Sequence, residues 1–184
     1  WGAKIVMSFS DEDLRAIVET AQISDPAAEA HLLDVLRKRR DKIGRYWFDK
    51  VNPLDRFAVE SASEAVAVQS STGNVRKAPV LHFDDLSVTS GLEPASARRY
   101  RYQMHIDGAA VGASRAVKAS PLPLVVNGVS LATALAERGR TGPHERVVRL
   151  DLQTVQNGDA SSETQVYVHV PADGRARVVG IQRP

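Results

Sequence analysis

Five histidines (His31, His82, His105, His144 and His169) are the first candidates for chemistry in this chain, because an imidazole binds transition metals and moves protons near neutral pH. No two of them stand one helical turn apart, the spacing that would place a pair on one helix face. His82 and Asp84 have a more useful relation. On a strand, residues two apart share a face, so both side chains can reach one cation. A zinc-type site asks for about four ligands, so this pair is only the start of one. Asp84 and Asp85 are adjacent carboxylates, but neighbours on a strand point to opposite faces, poor geometry for shared acid–base work. Gly112-Ala113-Ser114-Arg115-Ala116 follows the outline of a nucleophile elbow, yet Ala116 stands where the closing glycine belongs. The chain has no glycine-rich phosphate loop and no cysteine, which removes thiolate metal sites, thiol nucleophiles and disulfides. These residues make no complete catalytic set, and no cofactor is expected.

Binding has better candidates. Arg37-Lys38-Arg39-Arg40, continued by Lys42 and Arg45, offers a basic helix face on which Arg39 and Arg40 would meet phosphate. A plainer account competes with it. Residues 1–34 hold seven acids and two bases, and residues 35–50 hold seven bases and two acids, the polarity a helix dipole prefers. Asp34 with Lys38 and Asp41 with Arg45 are also i, i+4 pairs. Arg101 and His105 fall on the polar side of an alternating segment and are the other ligand-binding candidates. Tyr100 and Tyr102 share a face with Met104 and Ile106, so they are expected in a core rather than on a stacking platform. A net charge of only +2 argues against nucleic acid as the partner.

These residues need elements to position them. Ser10 is an N-cap with Asp11, Glu12 and Asp13 behind it, and Leu14, Ile17, Val18 and Ala21 then form one apolar helical face. Asp25-Pro26 starts a second helix, whose stripe of Ala28, Leu32, Val35, Leu36, Ile43 and Trp47 runs to about Lys50. Trp47 is expected to seal this stripe against the β part of the chain. Asn52-Pro53 stops the helix, because proline disfavours helical geometry in the residue before it.

From Leu54 the apolar residues alternate instead. Phe57 and Val59, then Val66 and Val68, begin the pattern; residues 70–77 read as a loop and 80–88 as a strand. Residues 99–106 are the cleanest strand, with Asp107-Gly108 as a turn after it. Residues 109–120 are weakly patterned. Residues 122–126 read as an edge strand, 131–138 as a turn or two of helix and 146–155 as a strand. A hairpin closes the chain, its arms 165–170 and 175–181 joined at Pro171-Ala172-Asp173-Gly174. The expected fold is α+β: an N-terminal helical hairpin over residues 1–52, then an antiparallel β-sandwich of about seven or eight strands over residues 53–184. The hydrophobic content of 43% suits a packed core, and its apolar runs are far too short to span a membrane.

Two stretches resemble a known family: residues 39–48, Arg-Arg-Asp-Lys-Ile-Gly-Arg-Tyr-Trp-Phe, and residues 51–57, Val-Asn-Pro-Leu-Asp-Arg-Phe. They are similar to the C-terminal region of large, uncharacterised bacterial proteins, as are the opening Trp1-Gly2-Ala3-Lys4-Ile5 and the closing Val178-Val179-Gly180-Ile181. The resemblance implies an exported protein, periplasmic or extracellular, with a kinase-like region ahead of this one. It carries no site residues. The opening without an initiator Met or leader agrees, so residues 1–52 are expected to be the tail of an upstream domain and that domain the partner. The functional expectation is a non-catalytic accessory or binding β domain on a helical connector, with an unknown ligand or protein partner. The alternative is the substrate-facing part of an enzyme whose catalytic core lies upstream of Trp1.

Overall fold

The computed structural model describes residues 1–60, 67–69, 75–126, 129–140, 142, 146–156, 158–173 and 175–184. His144, Val66, most of the expected 70–77 loop, and the turn positions Asn157 and Gly174 lie outside the described residues. The helices are α1 (Gly2–Val6), α2 (Asp11–Glu19), α3 (Pro26–Lys50), α4 (Leu86–Thr89) and α5 (Leu131–Glu137). The longer strands are β1 (Leu54–Glu60), β4 (Val80–Asp85), β5 (Arg99–Ile106), β6 (Ala109–Val117), β10 (Val147–Gln156), β12 (Thr164–His169) and β13 (Arg177–Gln182). Short ladders complete the set: β2 (Ala67–Gln69), β3 (Val75–Lys77), β7 (Leu122–Pro123), β8 (Val125–Val126), β9 (Val129–Ser130) and β11 (Asp159–Ala160). The chain is α+β, with N-terminal helices followed by antiparallel sheets. No helix among the described residues is long and apolar enough to cross a membrane.

Both helix starts follow their caps. Ser10 and Asp13 form a capping box: the Asp13 N–H donates to the Ser10 hydroxyl at 3.0 Å, and the Ser10 N–H returns a bond to Asp13 Oδ2 at 2.8 Å. The hydroxyl and the N–H of Ser10 together hold the Asp13 carboxyl below its ordinary range. At α3, the Asp25 side chain accepts from the Ala27 N–H at 2.9 Å, with Pro26 in the first turn.

The apolar stripe of α3 does not lie where its periodicity suggests. Ile43 and Trp47 remain 38% and 49% exposed, while Gly44 and Phe48, one turn apart, are the buried pair. Trp47 therefore does not seal the helix against the β part; Phe48 does. The reason lies at Gly44, where a Cβ would meet Met7 Sδ at 2.5 Å and Leu92 Cδ1 at 2.7 Å. Without a side chain there, α1 and the loop after α4 close directly on the helix backbone, and this contact sets which face turns inward.

The larger sheet runs β13-β12-β10-β5-β6, with β11 paired on β10, and a smaller one runs β1-β4-β7. Leu54, Leu81 and Phe83 of the smaller sheet join Tyr100, Tyr102, Met104, Val148, Leu150, Leu152, Val166 and Val168 of the larger in one apolar cluster. Phe83 meets Tyr100 edge to face, ring centroids 5.0 Å apart. The two tyrosines are thus core residues, as their shared face with Met104 suggests.

Two expectations need correction, and one weakly patterned stretch gains an element. Val75–Lys77, expected in a loop, form β3. The strand expected over 80–88 ends at Asp85, whose side chain accepts from the Ser87 N–H at 3.0 Å and caps α4. The weakly patterned stretch after Gly108 is strand β6, an edge strand on β5. Its small residues are mostly exposed, so no apolar alternation marks it. Asp107 and Gly108 both have positive φ (53° and 77°), the backbone of a two-residue hairpin turn.

Candidate functional site

The face of the larger sheet turned away from the core carries a polar grid. Strand register aligns His105, Arg149 and Tyr167 in one row and Gln103, Asp151, Gln165 and Gln182 in the next, with Arg101 and Gln153 beyond them. Each lies opposite in parity to core residues such as Met104, Leu150 and Val166. Asp151 sits at the centre and is only 8% exposed. Arg149 donates from Nη2 to Asp151 Oδ2 at 3.0 Å and brings Nε to 2.8 Å from Oδ1. His105 places Nδ1 3.1 Å from Oδ2 on the other side. The Tyr167 hydroxyl donates to Gln165 Oε1 at 3.2 Å and stands 3.4 Å from Gln182 Oε1. The Tyr167 side chain lies beside Gly180. The face is thus a set of amide, guanidinium, imidazole and phenol groups held on strands, around one buried carboxylate. Arg101 is exposed at its margin with no ion pair or hydrogen bond from its side chain among the described residues.

A second polar group lies inside. The Arg98 side chain is 2% exposed, donating from Nε to Asp85 Oδ2 at 2.7 Å, from Nη2 to Asp85 Oδ1 at 3.4 Å and from Nη1 to Gln156 Oε1 at 3.2 Å. The Tyr100 hydroxyl donates to the same Asp85 Oδ2 at 3.1 Å. Burial pushes the Tyr100 phenol well above its ordinary range, and the Asp85 charge adds to the shift. Arg98 and Asp85 neutralise each other where an unpaired charge would be very costly. Sequence reasoning passed over Arg98, although it has the same parity as Tyr100, Tyr102 and Met104 and so belongs to the core face.

The other sequence candidates disperse. His82 and Asp84 do share a face of β4, but they do not converge on one cation: His82 Nε2 lies 2.8 Å from Glu60 Oε2, and Asp84 Oδ2 accepts from Arg56 Nη1 at 3.1 Å. No group of three or more metal-ligating side chains occurs among the described residues. Arg40 is committed inside the molecule, to Asp11 at 2.9 Å, to Asp41 at 2.9 Å and to the Phe9 carbonyl at 2.9 Å. It braces α2 against α3 rather than facing a ligand. Arg39 beside it is exposed, and its side chain has no partner among the described residues. The Asp34–Lys38 pair forms at 2.7 Å, whereas Asp41 turns to Arg40 instead of Arg45. Ser114 lies in β6, its hydroxyl 3.4 Å from the Tyr102 carbonyl. Arg101 and His105 lie on one face of β5, in separate rows of the polar grid and not in contact. Compared with protein-family models, with curated proteins and with solved structures, the chain matches none.

Proposed function

We propose that this chain is a non-catalytic binding β domain on a helical connector, the C-terminal part of a larger exported bacterial protein with its upstream domain as partner. The observation that supports this reading is the polar grid on the open face of the larger sheet. Its groups are braced by one another at Asp151 and Tyr167, so a ligand meets them already oriented, and less side-chain freedom is lost on binding. Arg101, Arg149 and His105 stand there against two carboxylates, both already engaged: Asp151 by Arg149 and His105, and Glu163 at the margin by the Gln165 amide at 3.1 Å, which leaves the unpaired Arg101 as the free cation of the face among the described residues. A ligand rich in oxygen acceptors fits that balance, an acidic oligosaccharide above all.

The test is a thermal-shift titration with oligogalacturonate against neutral malto-oligosaccharides. A ligand specific for the folded state adds about 2.7 kcal/mol at a hundredfold over its dissociation constant, a shift of several degrees. The acidic sugar is expected to raise the melting temperature, and Arg101→Glu to weaken it about tenfold with the free protein unchanged. No shift with any glycan from a cooperatively melting protein would remove the reading. It would favour the alternative, a substrate-facing part of an enzyme whose core lies upstream.

A further inference from the structure

A cleft of ≈ 280 Å³ opens where the end of α3 meets β10 and β11, lined among others by Phe48, Asp49, Arg98, Thr154, Gln156 and Asp159. It lies at the core side of the larger sheet, where Thr154 stands opposite Tyr100 in register, and so is separate from the polar grid. Its size falls just below that of most small-molecule sites, roughly 300–1,000 Å³, and suits a ligand no larger than a monosaccharide.

The groups around it have unspent bonding capacity of two kinds. Thr154 is only 5% exposed, yet its hydroxyl makes no hydrogen bond among the described residues. Arg98 uses three of its five N–H groups on Asp85 and Gln156 and also meets the Tyr100 hydroxyl, which leaves it about one N–H for a ligand. These groups face an occupant that offers oxygen. Asp49 and Asp159 supply the opposite: both are exposed, and neither side chain has a partner among the described residues. Asp49 also stands in the last turn of α3, where the helix end adds partial negative charge. Asp85 already cancels Arg98, so the cleft as a whole favours positive charge.

We infer that this cleft binds a small hydroxylated amine, an amino sugar or amino alcohol, with its hydroxyl oxygens toward Arg98 and Thr154 and its ammonium between Asp49 and Asp159. An acidic sugar would set a second carboxylate beside Asp85, and a neutral sugar would leave both rim carboxylates unmatched. The site does not depend on the sheet-face reading.

The test uses calorimetric titration of the chain with glucosamine, glucose and glucuronate near neutral pH. Glucosamine is expected to bind at least about tenfold more tightly than glucose, with glucuronate weaker still. The double variant Asp49→Asn, Asp159→Asn should lose that preference for the amine while its free protein melts as before, both positions being exposed. Thr154→Val should weaken glucosamine and glucose alike, and Arg101→Glu on the sheet face should change neither. Absence of glucosamine binding, an amine preference that survives in the double variant, or tighter binding of glucuronate would each overturn the inference.

Discussion

Tyr100, Asp85 and Arg98 form a group whose parts cannot be changed one at a time without consequence. The phenol donates to a carboxylate that a buried guanidinium already holds, so ionising Tyr100 would place a second negative charge beside Asp85. The raised phenol value means that the folded state keeps this proton more tightly than the unfolded chain does. Its contribution to stability is therefore complete below about pH 10 and lost as pH rises through the folded-state value. In a phenolate absorbance titration, the Tyr100 phenol is expected to ionise above its ordinary range, together with alkaline unfolding. Tyr100→Phe should cost about 1 kcal/mol at neutral pH and lessen the alkaline decline, as read from urea unfolding at several pH values. The sequence shows part of this group. Neighbouring Asp84 and Asp85 are expected on opposite faces, and so they lie: one meets Arg56 near the surface, the other Arg98 inside. The burial of Arg98 depends on Gln156 and Asp85, far along the chain, and pattern alone does not show that a charged residue has its neutralising partner.

Among the elements, α3 shows how a helix can be legible as a helix and misread as a surface. Asp25 and Pro26 mark its start and Asn52-Pro53 its stop, because caps and proline act through local backbone chemistry. Which side turns inward is decided by contacts with Met7 and Leu92 across Gly44, and a missing side chain leaves no hydrophobic mark in a periodicity count. The prediction is a reversal of apparent importance. Phe48→Ala should cost about 3–5 kcal/mol in chemical denaturation, as for a buried aromatic, whereas Trp47→Ala should cost no more than about 1 kcal/mol. Equal losses at the two positions would mean that the helix presents its other face. The strands repeat the lesson. Strand β5 is readable because it alternates cleanly, one face in the core and the other polar. Its neighbour β6 is an edge strand of small residues, and its place comes from the Asp107-Gly108 turn and its pairing with β5 rather than from its own pattern.

Across the whole molecule, the helical and β parts are packed together rather than tethered, the arrangement that the short connection at Asn52-Pro53 suggests. Asn52 is 5% exposed: its amide donates to the Leu152 carbonyl at 2.7 Å, and its backbone N–H to the Ser162 hydroxyl at 3.2 Å. A second joint lies at Asp55, where Lys4 of α1 and Arg183 near the C-terminus converge on one carboxylate. Burial alone would raise the Asp55 value, but Lys4, the Arg56 N–H and Arg183 hold it below the ordinary range. The stability this supplies is present above about pH 4 and lost as pH falls below it. Asp55→Asn is expected to cost about 0.5–1 kcal/mol at neutral pH, discounted for the half-exposed Lys4, and less in concentrated salt; a guanidinium-free urea titration at two ionic strengths reads both. This joint also has a mechanical meaning. Lys4 and Arg183 lie near opposite ends of the sequence, yet they grip the same carboxylate, so the chain enters and leaves the body at one corner. A load pulled between the two ends reaches this hydrated clasp before any β ladder, and the clasp yields first, like the knot of a drawstring, while the sheets behind it stay closed.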